Sequence, residues 1–193
     1  MNGLSIIFIV FVVMLVLRVP IAYCLGLSGM AYIAMTGNFD MTSFASVMVR
    51  SVDSFPLMAV PFFILAGALM TAGGISKQIV QFATALVGRV TGGLAMVAVV
   101  ACAFFAALSG SGIATTAAIG AIMIPEMEKN GYAKPFSAAL IAAAGCLGPI
   151  IPPSVPMVMF GASTETSISA MLIGGLLPGV LLAALLMVFA YFY

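Results

Sequence analysis

Seven apolar runs, at positions 1–17, 19–36, 56–72, 92–108, 111–125, 136–162 and 168–193, take up most of the chain. Backbone amides inside such runs cannot all reach water, so they must bond to one another. A helical membrane crossing needs about 20 mostly apolar residues, and the runs scatter around that length. Four polar patches separate them: Gly37–Phe55, Gly73–Thr91, Glu126–Pro135 and Ser163–Ser167.

A soluble surface needs about 25% charged residues, and this chain has 6%. That excludes an ordinary soluble enzyme, a nucleic-acid binder and a disordered segment. The net charge of +1 points to no partner. There is no His, the commonest general base and metal ligand. Cys24, Cys102 and Cys146 sit in apolar runs without metal-ligand spacing and read as small packing residues. No catalytic residue and no organic cofactor are expected. The first run lacks a basic start and a small-residue cleavage site, so it reads as a retained helix.

Basic residues orient a membrane chain, because Lys and Arg stay in cytoplasmic loops. Arg18-Val19-Pro20 reads as a tight turn, with Pro20 opening a second helix. The second run then leaves the cytoplasm and 56–72 returns, which puts Lys77 and Arg89 inside. Runs 92–108 and 111–125 meet at Ser109-Gly110 and are read as a re-entrant hairpin, which keeps Lys129 and Lys134 inside as well. Two short full crossings would satisfy the charges equally; the small, helix-breaking tip favours the hairpin, since irregular backbone at membrane depth survives only inside protein. Run 136–162 goes out, with Glu165 outside, and 168–193 comes back. Asp40 and Asp53 are expected on the periplasmic side.

The predicted fold is therefore an all-α integral membrane protein with five crossings, one re-entrant helical hairpin and a broken helix. An odd number of crossings suits one half of an inverted-repeat transporter, and the last run reads as the end of a first repeat. Three parts are expected. Residues 1–91 would be scaffold helices, 92–162 half of a transport domain (hairpin 92–125, broken helix 136–162), and 163–193 the last membrane helix. Two segments are amphipathic and read as interfacial helices. They carry Met41, Phe44, Met48 and Val52, and Ile75, Ile79, Phe82 and Leu86.

Two interrupted segments could carry chemistry: Leu108-Ser109-Gly110-Ser111-Gly112, and Gly145 to Pro156, which has four prolines in its last eight residues. A proline lacks an N–H, so the carbonyl four residues earlier loses its helical partner. By that arithmetic Pro149, Pro152, Pro153 and Pro156 free the carbonyls of Gly145, Gly148, Pro149 and Pro152. Each orphan carbonyl in hydrocarbon costs several kcal/mol, and a dehydrated cation could satisfy them. Ser109, Ser111 and Ser154 add hydroxyl oxygens. The other prolines read as local features: Pro56 opens a helix, Pro61 and Pro178 kink theirs, and Pro125 ends one.

These motifs bring out a resemblance. R-V-P-I-A at 18–22, S-F-P-L-M-A-V-P-F-F-I-L-A-G at 54–67, S-G-S-G at 109–112 and G-P-I-I-P-P-S-V-P at 148–156 resemble, in order, the N-terminal half of the large membrane subunit of tripartite ATP-independent periplasmic (TRAP) transporters, the DctM-like family. The resemblance implies an elevator-type, Na⁺-coupled secondary transporter of the bacterial inner membrane. Such a protein takes up organic acids, of C4-dicarboxylate or sugar-acid type, with a small membrane subunit and a periplasmic substrate-binding protein. It also implies a Na⁺ site formed by Ser109, Ser111, Gly148, Ile151 and Pro153, with Gly110, Gly112, Pro152 and Ser154 nearest the substrate. Of the carbonyl donors, the proline arithmetic reaches Gly148 independently. Two alternatives stand beside it: a similar symporter that needs no binding protein, and a structural membrane subunit that transports nothing.

Overall fold

The computed structural model describes residues 3–36, 41–53, 55–90 and 92–193. Gly37–Asp40, with the expected periplasmic Asp40, lie outside the described residues, as do Ser54 and Thr91. Every regular element among the described residues is helical. The chain divides into two compact units, Met1–Ser54 and Phe55–Tyr193.

The first unit holds α1 (Gly3–Val16), α2 (Ile21–Thr36) and α3 (Met41–Val52). The turn at Arg18 forms as expected. Arg18 adopts φ 61°, its N–H donates to Leu15 O at 2.9 Å, and the Val19 N–H donates to Met14 O at 3.1 Å. That pair of bonds is a Schellman C-cap, a motif that usually places Gly at the left-handed residue. Pro20 precedes α2, and its carbonyl accepts from the N–H groups of Tyr23 and Cys24.

The second unit holds α4 (Phe55–Ala72), α5 (Ile75–Val87), α6 (Gly93–Ser109), α7 (Gly112–Lys129), α8 (Lys134–Gly145), α9 (Val155–Thr164) and α10 (Ile168–Phe192). Pro125 lies inside α7 rather than ending it, and the helix runs one more turn to Lys129. Asn130 closes that turn: its N–H and side-chain amide both donate to Glu126 O, at 3.3 and 2.8 Å. Run 136–162 is two helices, α8 and α9, with nine residues of turns between them.

The core is built from small residues. On α6 the buried positions include Ala95, Ala98, Ala101, Cys102 and Phe105, packed against Ile119 and Met123 of α7 and Ile141 of α8. The buried residues of α10 are Gly175, Gly179, Ala183 and Ala190. Its large side chains, among them Leu177, Leu181 and Phe192, are exposed. This inside-out pattern is what lipid allows, because tails are as apolar as Leu and only close backbone packing distinguishes the interior. The packed face of α5 is Ser76, Ile79 and Ala83, while Phe82 and Leu86 of the expected apolar stripe are exposed. Cys24 and Cys102 are buried as expected; Cys146 is exposed at the end of α8.

α10 by itself is long and apolar enough to cross a bilayer. α1, α2 and α6, with 14, 16 and 17 residues, span about 21–26 Å at 1.5 Å per residue, short of a ~30 Å hydrocarbon core.

The ends of α6, α7, α8 and α10 share one level. Gly92, at the start of α6, packs against Ala190 O. The Phe136 ring of α8 stacks on Tyr193 at 3.5 Å between centroids, and Lys134 pairs with Glu128 of α7 at 3.6 Å. The α6–α7 connection lies well away from this end.

Candidate functional site

The two breaks foreseen in the sequence meet each other. Ser109, Gly110 and Ser111 connect α6 to α7; Cys146–Ser154 connect α8 to α9. Gly110 adopts φ 62° and ends α6. Its carbonyl accepts from the Val155 N–H at 3.5 Å, and a methyl group there would collide with the Pro153 carbonyl oxygen. A methyl at Gly148 would collide with the Gly112 nitrogen and stand 2.6 Å from the Ser111 carbonyl carbon. A methyl at Gly112 would stand 2.9 Å from Gly145 O. Glycine is required here because backbone lies on backbone.

Two neighbours complete the enclosure. Gly67 of α4, the last residue of the P-F-F-I-L-A-G segment, packs against Ser109, with 3.6 Å from a Cβ at Gly67 to Ser109 Cβ. On the other side Ile150 O approaches Gly175, and Ile151 Cγ1 fills the notch at Gly179. Counting from Gly179 and Gly175 to Ala190 at 1.5 Å per residue, the break sits about 16–22 Å along α10 from the common end.

Both α7 and α9 start at this junction, each under a serine cap. Ser111 Oγ accepts from Ala114 N–H at 3.3 Å, and Ser154 Oγ accepts from Met157 N–H at 3.3 Å. Two helix N-termini thus face the C-terminal end of α6, which gathers partial charges of both signs in one buried place. Ser109 is buried, and its hydroxyl lies 3.1 Å from Thr115 Oγ1 and 3.4 Å from both the N–H and the carbonyl of Ser111.

The proline arithmetic is half corrected. Gly145 O is not free: it accepts from Gly148 N–H at 3.0 Å. Pro149 O accepts from Ser154 Oγ at 2.6 Å. Tight i to i+3 turns and the serine cap recover what the prolines removed. Gly148 O and Pro152 O accept no hydrogen bond among the described residues, and neither do Ile151 O and Pro153 O. Ser154 is fully buried; its hydroxyl donates to Pro149 O and accepts from the Met157 N–H. Thr115, fully buried beneath the tip, is a member of this cluster that the sequence reading passed over. A Thr inside an apolar helix reads as back-bonded, and only its approach to Ser109 marks it out.

The structure therefore brings Ser111, Gly110 and Gly112 onto Gly148 and Pro153, with Ser109 behind them. Ile151 directs its side chain to α10. A cleft of about 520 Å³ opens beside the tip between α7 and α8, lined by Gly112, Thr116, Gly145, Cys146 and Pro149 among others. Gly112 is the one residue of the four expected near a substrate that lines it. Of the charged groups, Glu126, Glu128, Lys129 and Lys134 cluster at the other end of α7, in two ion pairs of 3.8 and 3.6 Å.

Known proteins are similar to this chain in sequence. Over 192 residues the chain is 46% identical to the isethionate TRAP transporter permease protein DctMQ of Oleidesulfovibrio alaskensis, covering 100% of this chain and 30% of that protein. It is 45% identical over 191 residues to the C4-dicarboxylate TRAP transporter large permease protein DctM of Vibrio cholerae, covering 98% and 42%. Over 168 residues it is 45% identical to the 2,3-diketo-L-gulonate TRAP transporter large permease protein YiaN of Escherichia coli, covering 87% and 40%. The chain thus spans less than half the length of these relatives, which are named as permeases rather than enzymes. Since residues 8–193 match the DctM component of the tripartite ATP-independent periplasmic transporters, the chain belongs to that family.

Proposed function

We propose that the chain is part of the large permease subunit of a Na⁺-coupled transporter of the bacterial inner membrane, and that the junction of its two breaks holds the coupling ion. The observation that carries this reading is the mutual approach of Gly110, Gly112, Gly148 and Pro153, with carbonyls at Gly148, Ile151 and Pro153 that have no partner among the described residues. Buried carbonyls need partners. A hard monovalent cation, held by several neutral oxygens, suits a junction that carries no charged side chain. Gly148, Ile151 and Pro153 would give carbonyl oxygens and Ser109 and Ser111 hydroxyl oxygens. Half-helix ends facing one another at mid-membrane are the form such ion sites take in carriers with discontinuous helices.

In this reading α6 and α7 are a re-entrant hairpin. Both its ends lie level with Tyr193 and its tip reaches the middle of α10, a depth that supports a hairpin over two full crossings. The substrate is an organic acid of C4-dicarboxylate or sugar-acid type, as the names of the relatives suggest. A periplasmic binding protein delivers it, and a small membrane subunit accompanies the permease. Gly110, Gly112, Pro152 and Ser154 lie nearest the substrate, with Ser154 acting through the shape it gives the α8–α9 loop. Movement is of the elevator type, with the breaks carried as one body.

The test is uptake of labelled organic acid by vesicles holding the full-length permease and its small subunit. Uptake should require both Na⁺ and added binding protein, and Ser111→Ala should shift the Na⁺ concentration for half-maximal uptake upward by roughly 5- to 150-fold, the equivalent of one buried polar contact. Uptake that ignores Na⁺ would reject ion coupling. Uptake without binding protein would favour a self-sufficient symporter.

A further inference from the structure

We propose that Thr115 is a positioning residue that turns the Ser109 hydroxyl into an acceptor facing the break; this rests on the sodium reading above. Thr115 has one hydroxyl hydrogen and a near partner for it: the Ser111 carbonyl, at 2.8 Å. Once that hydrogen is spent, the 3.1 Å contact between Thr115 Oγ1 and Ser109 Oγ can be made only with Ser109 donating. The competing acceptor for the Ser109 hydrogen is the Ser111 carbonyl at 3.4 Å. That carbonyl already receives Thr115 Oγ1 and the Thr115 N–H, at 2.8 and 3.0 Å, which fills its two lone pairs.

The Ser109 hydrogen is therefore held toward Thr115, away from the junction. Of the two lone pairs left on Ser109 Oγ, one faces the Ser111 N–H at 3.4 Å and the other has no donor among the described residues. A buried hydroxyl with its hydrogen withdrawn and a lone pair exposed attracts a cation and repels a carboxylate. Without the Thr115 oxygen, Ser109 could rotate its hydrogen into the junction and present the wrong sign. Thr115 is fully buried and touches the junction through the Ser111 carbonyl, which its N–H and hydroxyl both bond, and through the Ser109 hydroxyl. The proposed orienting effect on an ion passes through Ser109, and the Ser109→Ala background separates it from the bond to Ser111.

The experiment uses purified full-length permease with its small subunit. The melting temperature is titrated with Na⁺ at constant ionic strength, K⁺ replacing Na⁺; the midpoint reports ion affinity without transport. Thr115→Val should raise the Na⁺ midpoint about tenfold, the equivalent of one buried polar contact, and Thr115→Ser should stay within about twofold of wild type. In a Ser109→Ala background, Thr115→Val should raise the midpoint much less, because the contact to Ser109 is already gone and only the bond from Thr115 Oγ1 to the Ser111 carbonyl remains to be lost. Thr115→Ala replaces Thr115→Val if the latter does not yield folded protein in K⁺. An unchanged midpoint in Thr115→Val, or a Thr115→Ser as weak as Thr115→Val, overturns the positioning role and leaves the sodium reading intact. A wild-type protein whose melting ignores Na⁺ overturns both.

Discussion

Gly148 lies on Gly112 with no room for a side chain between them: one methyl on Gly148 would overlap the Gly112 nitrogen. The colliding atoms are backbone, so no rotamer change relieves the overlap. Gly148→Ala is expected to separate the two breaks, destabilise the protein by about 1–3 kcal/mol as overpacking does, and abolish the Na⁺ response. Thermal melting and Na⁺ titration of the full-length permease check both effects. A fully active Gly148→Ala protein would contradict the contact.

Two adjacent glycines on α10 should behave in opposite ways. Gly174 has open space where a Cβ would stand, while a Cβ on Gly175 would be 2.6 Å from Ile150 O and 2.7 Å from Met157 Cε. Gly174→Ala should be neutral or add about 0.5–1 kcal/mol through helix propensity. Gly175→Ala should lose stability by about 1–3 kcal/mol. Comparing the two melting temperatures in the same detergent is sufficient.

Ser154→Ala tests a capping hydroxyl against the proposed ion-binding hydroxyl of Ser111. It removes the cap on α9 and the partner of Pro149 O, so stability should fall by about 1–2 kcal/mol. The Na⁺ midpoint should move less than in Ser111→Ala. A larger shift in Ser154→Ala would reverse the assignment of the two serines.

Topology can be read by single-cysteine labelling after Cys24, Cys102 and Cys146 are replaced. The native cysteines would otherwise compete for the label. Positions 77, 89, 129 and 134 should react from the cytoplasm, and 53 and 165 from the periplasm, following the bias of basic residues. Periplasmic labelling at 129 would mean that the α6–α7 segment crosses the membrane.

Helix placement was legible because apolar length and proline or glycine breaks are local properties. The break at Ser109–Ser111 and the one after Gly145 both stand where the residues put them. Burial was much less legible. In α5 the apolar stripe named Ile75, Ile79, Phe82 and Leu86; Ile79 is buried and Phe82 and Leu86 are exposed, while the small Ser76 and Ala83, which no stripe marks, complete the packed face. Hydrophobicity points inward only when water is outside, and here size decides instead. Pro125 shows a related gap. A proline removes one hydrogen bond, but the helix carries on because Asn130 closes the following turn. Gly145 and Pro149 kept their carbonyls bonded through i+3 turns and Ser154, partners that a count of prolines does not see. Thr115 was invisible for the same reason: its role depends on where Ser109 lies in space.

The joint at Gly110, Gly112, Gly148 and Pro153 is made of main-chain atoms, which every residue type supplies alike. Trimming side chains cannot reveal it, because three of the four positions are glycines with nothing to trim. Its mutational signature runs backwards: damage comes from atoms gained, at glycines, while trimming reports at the serine caps. A search for the working parts of this chain by deletion of side chains would therefore find the hinges of the loops and miss the surface on which they close.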